Sequence, residues 1–249
     1  MNIAVIFAGG VGRRMHSRDL PKQFLVIHDK PIIVHTIEYF QRCDQIDAIA
    51  VVCVKEWIAH FQSLAEHYGL DKVKMVVPGG ETGQLSIFEG LKAAKQFAGE
   101  REAIVLIHDG VRPLITDELL LRNIEDTEQY GSSITSGNVT ETVVEVSDDM
   151  TILHVSDRTH SRVAKAPQCF RLKEIYEAHL RALNEGKKDF IDSCTLMQFY
   201  GFRLHMTDGP IENIKITTPM DYFTMRAILQ AREDSQFLRT EECGKNGVG

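Results

Sequence analysis

A loop rich in glycine and arginine follows the first apolar run of the chain, and its residue types are those that bind phosphate groups. Residues 3–7 are apolar enough for a buried strand. The loop after Ala8 contains three glycines and two arginines: Gly9, Gly10, Gly12, Arg13 and Arg14. Glycine lets backbone N–H groups approach phosphate oxygens, while the arginines and the nearby Lys22 supply positive charge. These residues predict a polyphosphate site whose cations neutralise charge that develops during phosphoryl or nucleotidyl transfer.

The prediction of a polyphosphate site has three alternatives, which are two known phosphate-binding loops and a purely structural turn. A Walker loop requires a lysine followed by Ser or Thr, and this loop has neither. A dinucleotide fingerprint requires a third glycine that opens a helix, whereas Arg13-Arg14-Met15 follows Gly12 here. A glycine turn with solvated arginines would explain the loop if it stood alone. Polar residues at other strand ends favour the polyphosphate site.

Two further strands are predicted to end in residues that could bind a nucleotide. Residues 73–77 lead into Gly79, Gly80 and Ser86, and residues 103–107 lead into His108-Asp109-Gly110-Val111-Arg112-Pro113. Parallel strands present their carboxyl ends at one edge of a sheet, so these segments should converge with the first loop. Asp109 is expected to hold Mg²⁺ or another divalent cation, and a turn aspartate is the alternative. Lys215 precedes a helix that begins at Pro219 and is a further candidate, with an ordinary solvated lysine as its alternative.

Composition limits the class of protein. The chain has 249 residues, 43% hydrophobic content and a formal net charge of −7, which fits a globular core and argues against nucleic acid as the main partner. No run of 18 apolar residues and no leader sequence at the start are apparent, so we expect a cytoplasmic protein without a membrane span. Five scattered cysteines predict reduced thiols, with neither a disulfide framework nor a zinc site.

Strand and helix patterns alternate through residues 3–107 and predict an α/β fold with a Rossmann-like, doubly wound, mostly parallel sheet. Short β-type runs at 132–146, 151–155 and 162–165 predict a projecting antiparallel β-arm, about residues 138–165. Helices are predicted at 172–184, 192–200 and 219 to about 232, with a strand at 203–206. We therefore expect a single domain of residues 1–234 and a flexible tail of residues 235–249.

Taken together, the ordered motifs resemble those of a known enzyme family. The motifs are Gly10-x-Gly12-x-Arg14-Met15, Pro21-Lys22-Gln23, His108-Asp109-x-x-Arg112-Pro113, Asp157-Arg158, Ala166-Pro167-Gln168-x-Phe170 and Asn213-Ile214-Lys215-Ile216-Thr217. They resemble the cytidylyltransferases that act on alditol phosphates, which are the 2-C-methyl-D-erythritol 4-phosphate and D-ribitol 5-phosphate enzymes. The resemblance covers about residues 2–232 and departs from the usual pattern at Gly83, where arginine is common, and at Ala166, where threonine is usual.

The resemblance implies a role for each matched residue. The catalytic residues would be Arg14, Lys22 and Lys215, which would neutralise negative charge on the phosphates. The nucleotide would contact Ala8, Gly9, Gly10, Gly12, Gly80, Ser86, Asp109 and Arg112, and Asp109 would also hold Mg²⁺. The alditol phosphate would bind Thr142 and Arg158, which reach from the arm into the neighbouring subunit, because the family typically forms homodimers through this arm.

The implied reaction joins CTP to an alditol phosphate and releases pyrophosphate, with catalysis by positioning and charge neutralisation. The sequence His108-Asp109-Gly110-Val111-Arg112 is closer to the ribitol branch than the Asp-Ala-Ala-Arg of typical methylerythritol enzymes, so D-ribitol 5-phosphate is favoured. The methylerythritol reaction of isoprenoid synthesis is the alternative. A nucleotide-binding protein without activity is an alternative of another class. Whether a partner reductase supplies ribitol phosphate stays open.

Overall fold

The computed structural model describes residues 1–9 and 20–245, without the side chains of 235–245, so the predicted roles of Gly10, Gly12 and Arg14 fall outside the described residues. Within the described ranges, the strands are β1 Asn2–Ala8, β2 Val26–Ile27, β3 Lys30–Pro31, β4 Ala48–Cys53, β5 Val73–Pro78, β6 Ile104–Asp109, β7 Ser132–Asn138, β8 Val144–Val146, β9 Ile152–Val155, β10 Arg162–Arg171 and β11 Met206–Asp208. The α-helices are α1 Ile32–Arg42, α2 Ile58–His67, α3 Gly83–Ala98, α4 Asp117–Tyr130, α5 Leu172–Asn184, α6 Ser193–Phe199 and α7 Pro219–Lys245.

The central sheet has the order β11-β7-β10-β6-β1-β4-β5. The pairs of β1 with β4 and β6, of β4 with β5 and of β7 with β11 are parallel, while β10 runs antiparallel to both of its neighbours. The prediction of a mostly parallel α/β sheet is therefore confirmed. Phe7 lies opposite Asp109 in the register of β1 and β6, so the end of β1 and Asp109 share one edge of the sheet.

Helices cover both faces of the sheet because side chains along each strand alternate between the faces. Ala4 and Ile6 of β1 pack in a core with α1, α2 and α4, whereas Ile3 and Val5 pack in a second core with α3, α5 and α6. The second layer approaches the sheet closely at Gly90, where an added Cβ would lie 2.4 Å from Val5 Cγ1. This doubly covered sheet holds the strand ends in fixed register.

Helix α4 has no counterpart in the sequence prediction, which placed nothing helical between residues 107 and 132. The Thr116 side chain accepts a hydrogen bond from the Leu119 backbone N–H at its start, and Gly131 follows its end with a φ of 84°. These are ordinary helix caps. Helix α4 is the crossover that separates the Asp109 loop from β7, so the α/β alternation continues further than predicted.

The predicted antiparallel arm is only partly separate from the sheet. Residues 162–164 of β10 still pair with residues 136–138 of β7, and β10 continues to Arg171 rather than ending at residue 165. The independent ribbon consists of β8 and β9, which pair with each other. Pairing between β7 and β10 therefore makes both ends of the predicted excursion part of the main sheet.

At the carboxyl end of the described chain, helix α7 runs to Lys245, so the predicted helix end near residue 232 is wrong. The sequence after Pro219 has no glycine before Gly244 and no further proline, so nothing in the backbone chemistry stops the helix earlier. The division into a domain of residues 1–234 and a tail of 235–249 stays a prediction. Among the residues that the structure describes, none of the helices combines the length and the apolar character needed to span a bilayer.

Histidine 179 of α5 is an unusual part of the second core. The side chain is buried and stacks on the Phe88 ring, with 5.7 Å between ring centroids and 9° between ring planes. Within the described residues, neither ring nitrogen has a hydrogen-bond partner. Burial lowers the pKa of His179 to about 4. The ring is therefore neutral in the folded protein at pH values where an unfolded chain would bind a proton.

We expect the free energy of unfolding to fall as the pH drops from about 6.5 toward 4, because the unfolded state then binds a proton that the folded state excludes. Replacing His179→Phe keeps the stacked ring and removes this titration. Between pH 7 and pH 5 the variant should lose about 1–2 kcal/mol less stability than the wild type in urea denaturation. His67→Phe, at an exposed histidine, is the control for the substitution itself. An identical pH dependence in His179→Phe would contradict this effect.

Candidate functional site

Asp109, the last residue of β6, lies between two cationic side chains. Lys215 Nζ is 2.6 Å from Asp109 Oδ1, and Arg112 Nε is 3.2 Å from Asp109 Oδ2. Asp109 is 5% exposed. Burial raises the pKa of Asp109, but the charges of Lys215 and Arg112 outweigh burial and hold the pKa below its ordinary value. The carboxylate is therefore ionised at neutral pH and holds both cations at the edge of the sheet.

His108 closes the turn that presents Arg112 to Asp109. The ring Nε2 lies 2.9 Å from the Arg112 carbonyl oxygen, and the Arg112 backbone N–H donates to the Asp109 carbonyl at 3.1 Å. Burial lowers the pKa of His108 to about 4, so the ring is neutral and its Nε2–H donates to the carbonyl. The turn after β6 is thereby fixed by the residue that precedes Asp109.

Asn213 ties the segment around Lys215 to the rest of the site. Its side chain is fully buried and donates from Nδ2 to the Ala166 carbonyl at 2.8 Å. Its own carbonyl accepts a hydrogen bond from Arg112 Nη1 at 3.1 Å. The Ile216 backbone N–H donates to the Val111 carbonyl at 2.9 Å. Lys215 therefore stands on a short segment that is anchored at both sides to the Asp109 turn and to β10.

Lys22 contacts the same segment from the part of the chain that precedes β2. It begins a single 3₁₀ turn, Lys22–Phe24, and its Nζ donates to the Ile216 carbonyl at 3.1 Å. The buried Gln23 donates from Nε2 to the Ala8 carbonyl at 2.6 Å, which holds the turn against the end of β1. The structure thus brings Lys22, Lys215, Arg112 and Asp109 together. We call these four residues the charged cluster.

A ledge of small residues lies beside the charged cluster, toward β4 and β5. Ser86 is buried on the first turn of α3, and its Oγ accepts a hydrogen bond from the Gly80 N–H at 3.1 Å. An added Cβ would lie 3.3 Å from Ser86 Oγ at Gly9 and 3.0 Å from it at Gly79. Ala8, Gly9, Gly79, Gly80 and Ser86 are thus close neighbours. Gly9 and Gly79 carry no side chain beside Ser86, so a flat ligand could approach the backbone there.

The arm residues predicted to bind substrate stand apart from the charged cluster. Thr142 and Arg158 are exposed, and Arg158 Nη1 donates to the Thr140 carbonyl at 3.3 Å. In the part of the chain that the structure describes, no hydrogen bond or ion pair joins either side chain to the charged cluster. The arm surface around them is apolar and exposed, with the side chains of Val143, Val144, Val146, Met150, Ile152, Leu153 and Val155.

Two uncharged residues organise the site and had no role in the sequence prediction. Gln23 and Asn213 stand inside quoted motifs, next to Lys22 and close to Lys215. Their amides carry no charge and suggest no chemistry on their own, so only the structure reveals their hydrogen bonds to Ala8 and Ala166. The sequence signal that could have pointed to Gln23 and Asn213 was their position within the motifs.

A metal ion at this site would depend on Asp109 as its protein ligand. Among the described residues, no group of three or more His, Cys, Asp and Glu side chains lies close enough to hold a metal ion. Mg²⁺ usually takes only one or two protein carboxylates and completes its coordination with substrate phosphates and water. Asp109 is a single buried carboxylate beside cationic side chains that could bind substrate phosphates, which fits that pattern. It does not fit a site in which the protein supplies all the metal ligands.

We expect Asp109→Asn to destabilise the fold more than Lys215→Met. The first change leaves Arg112 and Lys215 close together without the buried carboxylate and should cost about 1–3 kcal/mol. The second removes a side chain that is 41% exposed and leaves Asp109 paired with Arg112, so its cost should be about 1 kcal/mol or less. Urea denaturation at neutral pH measures both. A larger loss in Lys215→Met would contradict this ranking.

Comparison with known proteins identifies the family. A family model described as IspD, 2-C-methyl-D-erythritol 4-phosphate cytidylyltransferase, matches residues 2–231. A ribitol-5-phosphate cytidylyltransferase from Streptococcus agalactiae serotype V is 54% identical over 236 residues, which cover 95% of this chain and 98% of that protein. A protein of the same name from Vibrio parahaemolyticus serotype O3:K6 is 48% identical over 95% of this chain and 99% of its own length.

The solved structures agree with this result at the level of the fold. The crystal structure of 4-diphosphocytidyl-2C-methyl-D-erythritol synthase from Anaerococcus prevotii is similar to this chain, with a TM-score of 0.79 and 30% identity. The similarity covers 92% of this chain and 96% of that chain. The family match spans every strand of the central sheet and all four residues of the charged cluster. The chain therefore belongs to the 2-C-methyl-D-erythritol 4-phosphate cytidylyltransferase family and is a nucleotidyltransferase.

Proposed function

We propose that this protein transfers the cytidylyl group of CTP to D-ribitol 5-phosphate, which gives CDP-ribitol and pyrophosphate. The observation that carries the proposal is the charged cluster beside the ledge of small residues at one edge of the sheet. The ledge suits a flat base, and the cations suit a triphosphate. The relatives at 54% and 48% identity are both named for ribitol 5-phosphate, which supports this alditol. The description of the family model favours 2-C-methyl-D-erythritol 4-phosphate as the second candidate.

In the proposed reaction, a phosphate oxygen of the alditol phosphate attacks the α-phosphorus of CTP. A new P–O bond forms as the bond between the α-phosphorus and the bridging oxygen breaks, and pyrophosphate leaves with that electron pair. The attacking phosphate is already ionised at neutral pH, so the step needs no general base. Lys22 and Lys215 would lower the barrier by compensating the growing negative charge. A similar role for Arg14 rests on the family resemblance and stays a prediction.

Asp109 has two proposed tasks. Its contact with Lys215 at 2.6 Å would orient the ammonium group toward the phosphates, and its carboxylate would be the protein ligand of Mg²⁺ or another divalent cation. The metal, when bound, would supply further positive charge to the triphosphate. Arg112 would support this arrangement through its contacts with Asp109 and the Asn213 carbonyl. The ledge residues Ala8, Gly9, Gly80 and Ser86 would frame the cytosine.

The exposed apolar side chains of the arm support a homodimer. A two-stranded ribbon is marginally stable alone, and β8 and β9 are exposed along their whole length. A second copy of the chain would cover them and would receive Thr142 and Arg158 in its alditol-phosphate site. The predicted cytoplasmic location would suit this reaction. A partner reductase is not part of the proposal.

Pyrophosphate release tests the function directly. Purified protein with CTP and Mg²⁺ should release pyrophosphate with D-ribitol 5-phosphate and should have a kcat/KM at least about tenfold lower with 2-C-methyl-D-erythritol 4-phosphate, since a site built for one polyol leaves polar groups unpaired with another. A reaction without alditol phosphate is the control for CTP hydrolysis. A preference for the methylerythritol substrate would replace the proposed alditol, and no release with either would refute the activity.

Mixing two inactive variants tests the shared site. Lys22→Ala should lower kcat by about 10²-fold, the scale of one lost charge contact in a transition state, and Arg158→Ala should impair the site of the neighbouring subunit. After subunit exchange, random pairing should restore about a quarter of wild-type sites, because each heterodimer holds one intact site. No recovery, with heterodimer formation shown by mass spectrometry of the native complex, would place Arg158 and Lys22 in the same subunit's site.

A further inference from the structure

Lys165 occupies an irregular position at the base of the arm. The register of β10 against β7 shifts between Ala164 and Gln168, and Lys165 is the first residue of this bulge. Bulges next to functional sites commonly redirect a side chain. The same bulge contains Ala166, whose carbonyl accepts the hydrogen bond from Asn213. Lys165 therefore adjoins the segment that anchors the charged cluster.

The side chain of Lys165 lies in a slot over Gly137 of β7, where residue 137 has no side chain to occupy the space. An added Cβ at Gly137 of β7 would lie 2.9 Å from Lys165 Cε and 3.2 Å from Lys165 Nζ. The aliphatic stem thus crosses the backbone of Gly137 and is half-buried. The end of Lys165 would have to move if residue 137 carried a side chain.

The charge of Lys165 is poorly compensated where it lies. Burial and the charge of Arg112 lower the pKa of Lys165, and the charge of Glu212 opposes this shift only in part. Within the described residues, its one hydrogen bond goes to the Ile211 carbonyl at 3.5 Å, which is the upper limit for such a contact. The neighbouring Arg162, in contrast, is paired with Asp208. An ammonium group held near a guanidinium, with donors to spare, is a favourable place for an anion.

The order of the strands indicates which anion Lys165 would bind. The ledge of small residues lies at the ends of β1 and β5, which flank β4, and Asp109 ends β6. Lys165 lies on the far side of β6, between β10 and β7. A nucleotide whose base rests on the ledge and whose phosphates meet the charged cluster would leave the second substrate on the side of β10. We propose that Lys165 is a substrate-binding residue that holds the phosphate group of the alditol phosphate in its own subunit's site.

This inference rests on the proposed function and names a residue for its second substrate. Replacing Lys165→Met keeps the length of the stem and removes the charge. The KM for D-ribitol 5-phosphate should rise about tenfold or more, the scale of one lost charged hydrogen bond, while the KM for CTP changes less than twofold. Lys165→Arg should retain much of the affinity. Lys72→Met is the matched control, since Lys72 is also half-buried but donates to the remote Cys43 carbonyl, and it should leave both KM values unchanged.

A second pair of variants separates substrate binding from folding. Gly137→Ala should displace the end of Lys165 and raise the KM for D-ribitol 5-phosphate by itself. In the Lys165→Met background, which lacks the ammonium group, Gly137→Ala should add almost nothing, because the group that it displaces is gone. Such a loss of additivity would not follow from a general weakening of the sheet.

Other outcomes would overturn the inference in distinguishable ways. An unchanged KM for D-ribitol 5-phosphate in Lys165→Met, or a rise in the KM for CTP alone, would refute the assignment and leave the proposed function intact. If Gly137→Ala and Lys165→Met raised the KM for D-ribitol 5-phosphate additively, Gly137 would not act by positioning Lys165. A wild-type protein that releases no pyrophosphate with D-ribitol 5-phosphate would overturn the proposed function, and the inference with it.

Discussion

The buried carboxylate of Asp109 is the interaction on which the site depends. An ionised group with 5% exposure is stable only when opposite charges and hydrogen bonds replace the water it has lost. Lys215 and Arg112 provide those charges, and the need to pair them fixes the segments that carry them. Asn213 extends this constraint to β10 through the Ala166 carbonyl. One desolvated charge thus connects the turn after β6, the segment before α7 and the base of the arm.

The sheet determines what each part of the site can do. Parallel strands β1, β4, β5 and β6 deliver their carboxyl ends to one edge, where short loops can carry small residues or charge. Strand β10 runs in the opposite direction and brings Lys165 to that edge in a bulge. The ledge, the charged cluster and Lys165 therefore follow one another across the strand order. This order would place the base, the phosphates of the nucleotide and the phosphate of the second substrate side by side, as their joining requires.

Chemistry-bearing residues were predictable from the sequence because their types are rare at strand ends. Asp109 and Arg112 follow the predicted strand of residues 103–107 and could be recognised in this way, whereas Lys22 was taken with the glycine loop and Lys215 depended on the other loops and the family motifs. The positioning residues could not be recognised, since the amide of Asn213 acts through burial and distance, which a single sequence does not display. Helix α4 was missed although Thr116 and Gly131 cap it, because its polar exposed face weakens the apolar pattern. The predicted strand at residues 162–165 was too short because β10 continues to Arg171 through its pairing with β6 and β7.

Asp109 and Lys215 are expected to act as one charged unit in the transfer of the cytidylyl group. A double-mutant cycle on kcat/KM tests it most directly, with Asp109→Asn, Lys215→Met and the combined variant at saturating Mg²⁺. If Asp109 serves mainly to hold and orient Lys215, the combined variant should be hardly worse than the poorer single variant, with a coupling energy of about 1–3 kcal/mol. If the fold-losses in kcat/KM of the two single variants multiply in the combined variant, Asp109 and Lys215 act independently, which would contradict their action as one unit.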